Sequence, residues 1–448
     1  DQDLVEKWLV FVMLLKNNVF GSLRLVQEVA LARNVTLHCS AHAIHYTDFV
    51  DAVTIYLSYH KHISVLLSNG KRNPQALTDR QLAIVEGFIH VTNNALRPVA
   101  SSSQDKENEA PQRLLNLESL VAHLSEFSSK DPRDRIYSVL ALAKEGPSWL
   151  ESSINGYEKT TLEVFQDFFI HVVRDSQRLD IMCRKWTSSV AEKDASVPTW
   201  IRPLQSNFQT SSDSKISERI EANCLVGNPN HRWYNAAKNT KANFKITSPT
   251  SPDKRKLLVV TGFRLDIISK LGPRASEGII LYEWLQMGDC ITSKEVDTVP
   301  DAFWRTLVAD RGPNGSNAPS WYRRAFLYCL AESTPTGDVN TSRLIETGEV
   351  GSNLVIDFLE RVQSIIWNRK LMVSQKSNLI GLAPPAAQEN DMICVLYGCS
   401  VPVILREQIG MDGEIFWYLV GECYVHGMMD GEAMEGRDPD ATEDFEIR

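Results

Sequence analysis

Apolar positions recur at helical spacing through the first third of the chain. Val5, Trp8, Val12 and Leu15 predict a helix over 4–16, and Leu23, Val26 and Ala30 predict a second over 22–33. Residues 35–39 read as a short strand. A long helix begins near Thr47 and carries Phe49, Val53, Tyr56 and Leu57, and another helix covers 79–92. The period then lapses in a Ser-, Glu- and Asn-rich linker and returns with Leu114, Leu117, Leu120, Val121, Leu124 and Phe127. A further helix starts at Thr160 or Thr161 with Leu162, Phe165, Phe168, Phe169 and Val172 on its apolar side. Helices are also predicted over 300–310, 320–332 and 353–368.

From residue 257 the pattern turns strand-like. Residues 257–264 form a strong strand, and 370–374, 392–397, 401–406 and 416–420 are apolar runs bounded by Gly, Pro and Asp-Gly turns. Four such strands can close a small antiparallel barrel or form a curled sheet. The fold class is therefore α+β, with mainly helical N-terminal and middle regions and a small antiparallel β-rich C-terminal subdomain. The segment after Asp430 carries seven acidic residues against two basic ones and reads as a disordered tail.

The clearest local signal is residues 131–143, Asp-Pro-Arg-Asp-Arg-Ile-Tyr-Ser-Val-Leu-Ala-Leu-Ala. Asp131 is placed to cap a helix, Pro132 to occupy its first position, and Asp134 to reach back as in a capping box. Ile136, Val139, Leu140 and Ala143 then share one face, with Arg133 and Arg135 beside it for carboxylates elsewhere.

Composition narrows the function classes. The chain has 448 residues, 47 basic and 56 acidic, for a net charge of −9, which argues against a general nucleic-acid-binding surface. No apolar run approaches the ~20 residues of a membrane span. Eight scattered cysteines without a Cys-x-x-Cys pair suit reduced, mostly buried thiols and a cytoplasmic setting. His38, Cys39, His42 and His45 lie close in sequence, but the spacing matches no zinc pattern, so no metal and no cofactor is expected. Cys399 reads as a packed turn thiol, since no base precedes it. Gln27-Glu28 reads as a polar pair on an amphipathic helix, with a ligand-orienting carboxylate as the sharper alternative.

Several blocks resemble the fungal heterokaryon-incompatibility (HET) family. The 131–143 stretch resembles its DPRD-x-IYALLGLA signature. Residues 20–33, with Gln27 and Glu28, resemble F-x-R-x-W-x-x-QE-x-ALA, although Leu25 stands where the family has Trp. Residues 197–201, with Trp200, resemble LPSWV, and 303–310, with Arg305 and Asp310, resemble WRTL-x-AD. Residues 390–406 and 421–432 are similar to GD-x-VCVL-x-G-x-x-x-PFVLR and GE-x-YVHG-x-MDGE, the latter holding Tyr424, His426 and Gly427. The motif residues that the resemblance singles out are thus Gln27, Glu28, Asp131, Pro132, Arg133, Asp134, Tyr137, Trp200, Arg305, Asp310, Tyr424, His426 and Gly427.

The resemblance implies a division into 1–97 (the C-terminal part of a HET domain and following helices), 98–113 (linker), 114–204 (helical, with the DPRD signature), 205–256 (irregular, low complexity), 257–368 (mixed α/β), 369–431 (β-rich) and 432–448 (tail). The family's first half, proposed to be related to TIR signalling domains, is expected to precede residue 2 and has no counterpart here. By resemblance, the chain is a regulatory and interaction region in non-self recognition and programmed cell death. Its expected protein partner is the missing HET half, a second copy or an incompatibility partner. One alternative is a TIR-like NAD-cleaving signalling enzyme with Glu28 contributing and the active site mostly in the missing half. The other is an inert truncated homologue. No reaction is assigned to the residues present; the trigger, the partner and the oligomeric state are not encoded in any motif found.

Overall fold

The computed structural model describes all residues except 1, 40, 69–76, 98–110, 147–155, 185, 189–196, 202, 205–207, 211–216, 220–221, 248–255, 291–298, 348–351, 411–412 and 438–440. Most of the linker expected over 98–113 therefore lies outside the described residues. The fold is α+β, and the chain forms two compact units. The first comprises Asp1–Phe168 and Phe208–Glu218, the second Phe169–Asn207 and Arg219–Arg448.

The first unit is helical. Its elements are α1 (Gln2–Leu15), α2 (Leu23–Leu31), a ribbon of β1 (Thr36–Cys39) and β2 (His42–His45), α3 (Tyr46–Ser68), α4 (Asp79–Asn94), α5 (Leu117–His123) and α6 (Asp134–Tyr137). An aromatic seam joins them. Trp8 and Phe11 of α1 meet Tyr56 of α3 at 5.9 and 6.1 Å between ring centroids. Phe20 stacks on Phe49 at 5.3 Å and meets the edge of Phe88 at 5.5 Å. Such contacts add a fraction of a kcal/mol to about 1.5 kcal/mol each beyond area burial. Thr78 and Gln81 form the reciprocal capping box that starts α4. Gly87 lets α4 approach α5, because a Cβ there would lie 2.3 Å from the His123 carbonyl oxygen.

Helix α7 (Thr161–Ser176) starts where its period predicts, and the Thr160 hydroxyl caps it by accepting the Glu163 N–H at 3.3 Å. In the second unit the strands are β3 (Phe244–Thr247), β4 (Leu257–Arg274), β5 (Lys370–Ser374), β6 (Ile380–Ala383), β7 (Met392–Leu396), β8 (Val403–Ile409), β9 (Ile415–Glu422), β10 (Tyr424–Val425) and β11 (Glu443–Ile447). The closed ring runs β4–β7–β8–β9–β11 and back to β4. All its pairings are antiparallel except the single parallel bridge of Trp417 with Ile447.

β4 is the hinge of the architecture. Its 18 residues pair with β3 and β11 at the start, with β7 in the middle and with β5 at the end, using register shifts after Arg264 and Ile268 to bend between partners. Gly262 permits the tightest point: a Cβ there would sit 2.5 Å from the Val395 carbonyl oxygen of β7.

The acidic tail corrects an expectation. Residues 443–447 form β11, with Phe445 and Ile447 fully buried. Alternation explains this: Glu443, Asp444 and Glu446 hold the charge, while the apolar members of the strand face the barrel. A charge count over the segment hides that period.

Helices α8 (Tyr282–Met287), α9 (Asp301–Leu307), α10 (Trp321–Ala331), α11 (Thr341–Thr347) and α12 (Asn353–Ile366) complete the second unit. α12 buries Val355, Phe358, Leu359, Val362, Ile365 and Ile366 at the predicted helical spacing. The unit also buries an ion pair. Arg369 Nη2 lies 2.7 Å from Glu422 Oε1, and both side chains are under 10% exposed, at 8 and 7%. The Leu225 N–H donates to the same carboxylate oxygen, at 2.8 Å.

Candidate functional site

The motif residues of the first unit occupy two places. On α2, Arg24 Nε donates to Glu28 Oε1 at 2.8 Å, one helical turn apart, and the Glu28 side chain is 58% exposed. Gln27 is its half-buried neighbour. The pair is an ordinary surface pair of the kind worth a few tenths of a kcal/mol.

The 131–143 stretch is not the continuous helix that its pattern predicts. α6 is one turn long, its preceding residue Arg133 is helical with no side-chain cap, and a 3-10 turn follows at Leu140–Leu142. The Asp131 carboxylate does meet a free N–H of the first turn: it accepts the Arg133 N–H at 2.9 Å, and it also binds the Arg133 guanidinium at 2.6 Å. Asp134 does not reach back; it accepts the Tyr157 hydroxyl at 2.7 Å. The apolar set is nonetheless buried, with Ile136, Val139, Leu140 and Ala143 at or below 1% exposure.

Arg133 is the knot's centre. Beyond Asp131 it donates to the carbonyls of Tyr157 and Lys159 at 3.0 and 2.9 Å and lies over the Tyr157 ring. Its hydrogen bond with Asp131 raises the arginine's pKa and holds the Asp131 carboxyl below the usual range. Tyr157 is pushed up to about 12, first by its bond to the Asp134 carboxylate and then by desolvation. The Tyr137 ring meets the Tyr157 ring at a tilt of 53°, centroids 5.2 Å apart.

In the second unit Trp200 is fully buried against Phe169, ring centroids 4.7 Å apart, and its indole N–H has no hydrogen-bond partner among the described residues. The surrounding segment contains a turn closed by Ile201 N–H on the Pro198 carbonyl at 3.0 Å.

The fold gathers Arg305, Asp310, Tyr424, His426 and Gly427 from blocks more than a hundred residues apart. Arg305 pairs with Asp310 at 2.6 Å and lies over the Trp304 ring at 4.6 Å. Asp310 and the preceding Ala309 both adopt left-handed backbone, φ 49° and 50°, which costs about 1–2 kcal/mol per non-glycine residue. Two successive residues of this kind need external support. Tyr234 donates its hydroxyl to the Ala309 carbonyl, and Arg361 donates to the Val308 and Arg311 carbonyls at 3.2 and 3.0 Å.

Arg311 then ties this turn to the C-terminal block. Its Nη2 meets both carboxylate oxygens of Asp430 at 2.9 and 2.7 Å, its Nε donates to the Trp233 carbonyl at 2.9 Å, and its guanidinium covers the Tyr234 ring at 4.6 Å. In the same block the Tyr424 hydroxyl and His426 Nδ1 are 3.1 Å apart. Burial pushes the His426 imidazole down and outweighs the opposite pull of Asp310. Burial pushes the Tyr424 phenol up, and the Asp310 charge adds to it. Gly427 takes φ 74° in the turn that follows, which favours glycine.

Arg311, Asp430, Trp233, Tyr234 and Arg361 are the supporting residues that the sequence reading passed over. Trp233-Tyr234, two adjacent aromatics inside a polar stretch, was the available signal. The assembly fixes a strained turn by hydrogen bonds and ion pairs. The histidines of the β1–β2 ribbon are exposed, and among the described residues no group of three or more His, Cys, Asp or Glu side chains is placed to hold a metal. Among those residues, no helix is long and apolar enough to cross a membrane.

Residues 360–445 match the family described as the Het-6 beta-barrel domain. The matched stretch runs from the end of α12 to the start of β11 and covers four of the five ring strands in whole or part. The similarity links the C-terminal region to heterokaryon-incompatibility-related fungal proteins. No curated protein and no solved structure matches the chain.

Proposed function

We propose that this chain is the regulatory and interaction region of a fungal heterokaryon-incompatibility protein, acting in the cytoplasm in non-self recognition and programmed cell death. Its helical unit docks the first half of a HET domain. The observation that carries the reading is on α1. Trp8, Val12 and Leu15 turn toward the unit's interior, yet Val10 and Met13 on the other side are 69 and 70% exposed. Neighbouring i, i+3 apolar side chains left in water suit a protein contact.

On this reading the 305–311 turn and the 424–430 block hold each other in one conformation and serve positioning. Glu28, paired with Arg24 on an open helix face, is a surface residue of α2 and not a catalytic carboxylate.

The test is expression in fungal cells with growth arrest as the readout. The chain joined to a HET first half should arrest growth, and Val10→Glu with Met13→Glu should abolish arrest while protein level holds. Arrest that is unchanged by both substitutions contradicts the docking surface. An absence of arrest from the joined wild-type chain favours an inert homologue.

A further inference from the structure

The second unit buries two thiols that the motif assembly does not use. Cys183 ends the 3-10 turn Asp180–Cys183, and Cys399 lies in the turn after β7. Their Sγ atoms are 4.0 Å apart, although 216 residues separate them in sequence. Both are nearly inaccessible, at 1 and 2% exposure.

The two backbones are held side by side. Leu179 N–H donates to the Gly398 carbonyl at 3.0 Å, and Ser400 N–H donates to Asp180 Oδ1 at 2.6 Å. These ties bracket the sulfur pair. A disulfide needs sulfurs about 2.05 Å apart, so the pair must close by about 2 Å. Side-chain rotation supplies such a movement where the main chains already adjoin.

Polar atoms lie beside the pair. Among the described residues, Asp180 Oδ2, Ser400 Oγ and Glu422 Oε2 are buried without a hydrogen-bond partner, Asp180 Oδ2 lying 3.8 Å from the Arg178 guanidinium. Asp180 and Glu422 are close enough for their charges to act on the Cys183 thiol. Buried polar atoms of this kind are ordinarily satisfied by water.

We propose that Cys183 and Cys399 form an oxidation latch, which a peroxide closes into a disulfide that locks the Asp180–Cys183 turn onto the barrel. One thiolate sulfur attacks a peroxide oxygen. The O–O bond breaks, hydroxide leaves and takes up a proton, and a sulfenic acid forms. The second thiol attacks that sulfur, the S–O bond breaks, and a second water departs with the thiol proton. Two thiols lose two electrons in all, and one peroxide is reduced to two waters. Contact with Cys399, burial and the nearby carboxylates push the Cys183 thiol up, so the latch answers sustained oxidant and not a brief pulse.

The experiment uses the full chain with Cys39→Ser, because Cys39 is exposed and would form links between molecules. The protein is incubated with hydrogen peroxide under native conditions, quenched, denatured with alkylating agent and mapped by mass spectrometry. The expected result is one Cys183–Cys399 linkage, loss of two alkylatable thiols, and a raised thermal midpoint that a reducing agent reverses. Cys183→Ser and Cys399→Ser should each abolish the link and the shift. If either variant fails to fold, the peptide map of the parent still decides. A map in which both thiols stay alkylatable, either one goes to sulfinic acid unlinked, or Cys399 joins Cys423 instead overturns the proposal.

Discussion

The Asp131–Tyr157 knot and the Ala309–Asp310 turn each carry an arginine–aspartate pair, but they are closed in different ways. In the first, Arg133 pairs with an aspartate two residues away and binds carbonyls 24 and 26 residues on. In the second, the Arg305–Asp310 pair is local, but the turn stands only because Tyr234, Arg361 and Asp430 reach it, the last across 119 residues. Local closure shapes a surface turn of the helical unit. Long-range closure stores strain and builds the barrel unit. The two should therefore respond unequally to substitution.

The largest effect expected is at the deepest long-range tie. Arg369→Ala leaves the Glu422 carboxylate buried without its cation, which should cost about 3–5 kcal/mol in denaturant unfolding. Replacing both residues by leucine should recover most of that loss. If Arg369→Ala costs under about 1 kcal/mol, the barrel unit does not depend on its buried ties as the comparison requires.

The helical unit has its own weak point, and it is set by pH. His90 of α4 and His123 of α5 stack with ring centroids 3.9 Å apart. Burial lowers His90, and burial together with the His90 charge lowers His123 to about 4. A histidine lowered in the folded state binds fewer protons there than in the unfolded chain. Stability is then full above about 6.5 and falls as pH drops from 6.5 through 4, by up to about 3 kcal/mol. Chemical denaturation at pH 7.5 and 4.5 should show this loss, and His123→Leu should flatten it.

How much of this was legible follows from the same contrast. The apolar period found α1, α4, α12 and strands β5, β7, β8 and β9, because burial on one face writes itself into neighbouring residues. The 131–143 stretch was legible as a buried stretch but misread as a continuous helix. Apolar spacing reports which face is buried, not where α-helical hydrogen bonding gives way to the 3-10 turn at Leu140–Leu142. Barrel closure was half legible. The four C-terminal strands were visible, but the ring needs β4, more than 90 residues earlier than β5, and a tail strand masked by its charge. Of the site, the motif blocks located Arg305, Asp310, Tyr424 and His426. Trp233, Tyr234, Arg361 and Asp430 matter only through contacts that sequence distance conceals.

Strain offers a finer test. Ala309→Gly removes the left-handed penalty at φ 50° and should stabilise the protein by about 0.5–1 kcal/mol, less the glycine's added chain entropy. A loss of stability there would mean that the turn is not strained. The smallest effect belongs to the local knot. Tyr157→Phe removes one exposed hydrogen bond to Asp134 and should cost no more than about 1 kcal/mol. A larger loss would make the knot as consequential as the barrel's ties and would erase the distinction.

The most direct test of the interaction role is a calorimetric titration of the chain with a separately produced HET first half. The account predicts binding with a negative heat-capacity change, as expected for buried apolar surface, weakened at least about tenfold by Val10→Glu with Met13→Glu. A wild-type chain that does not bind, or a double variant that binds equally well, would contradict it.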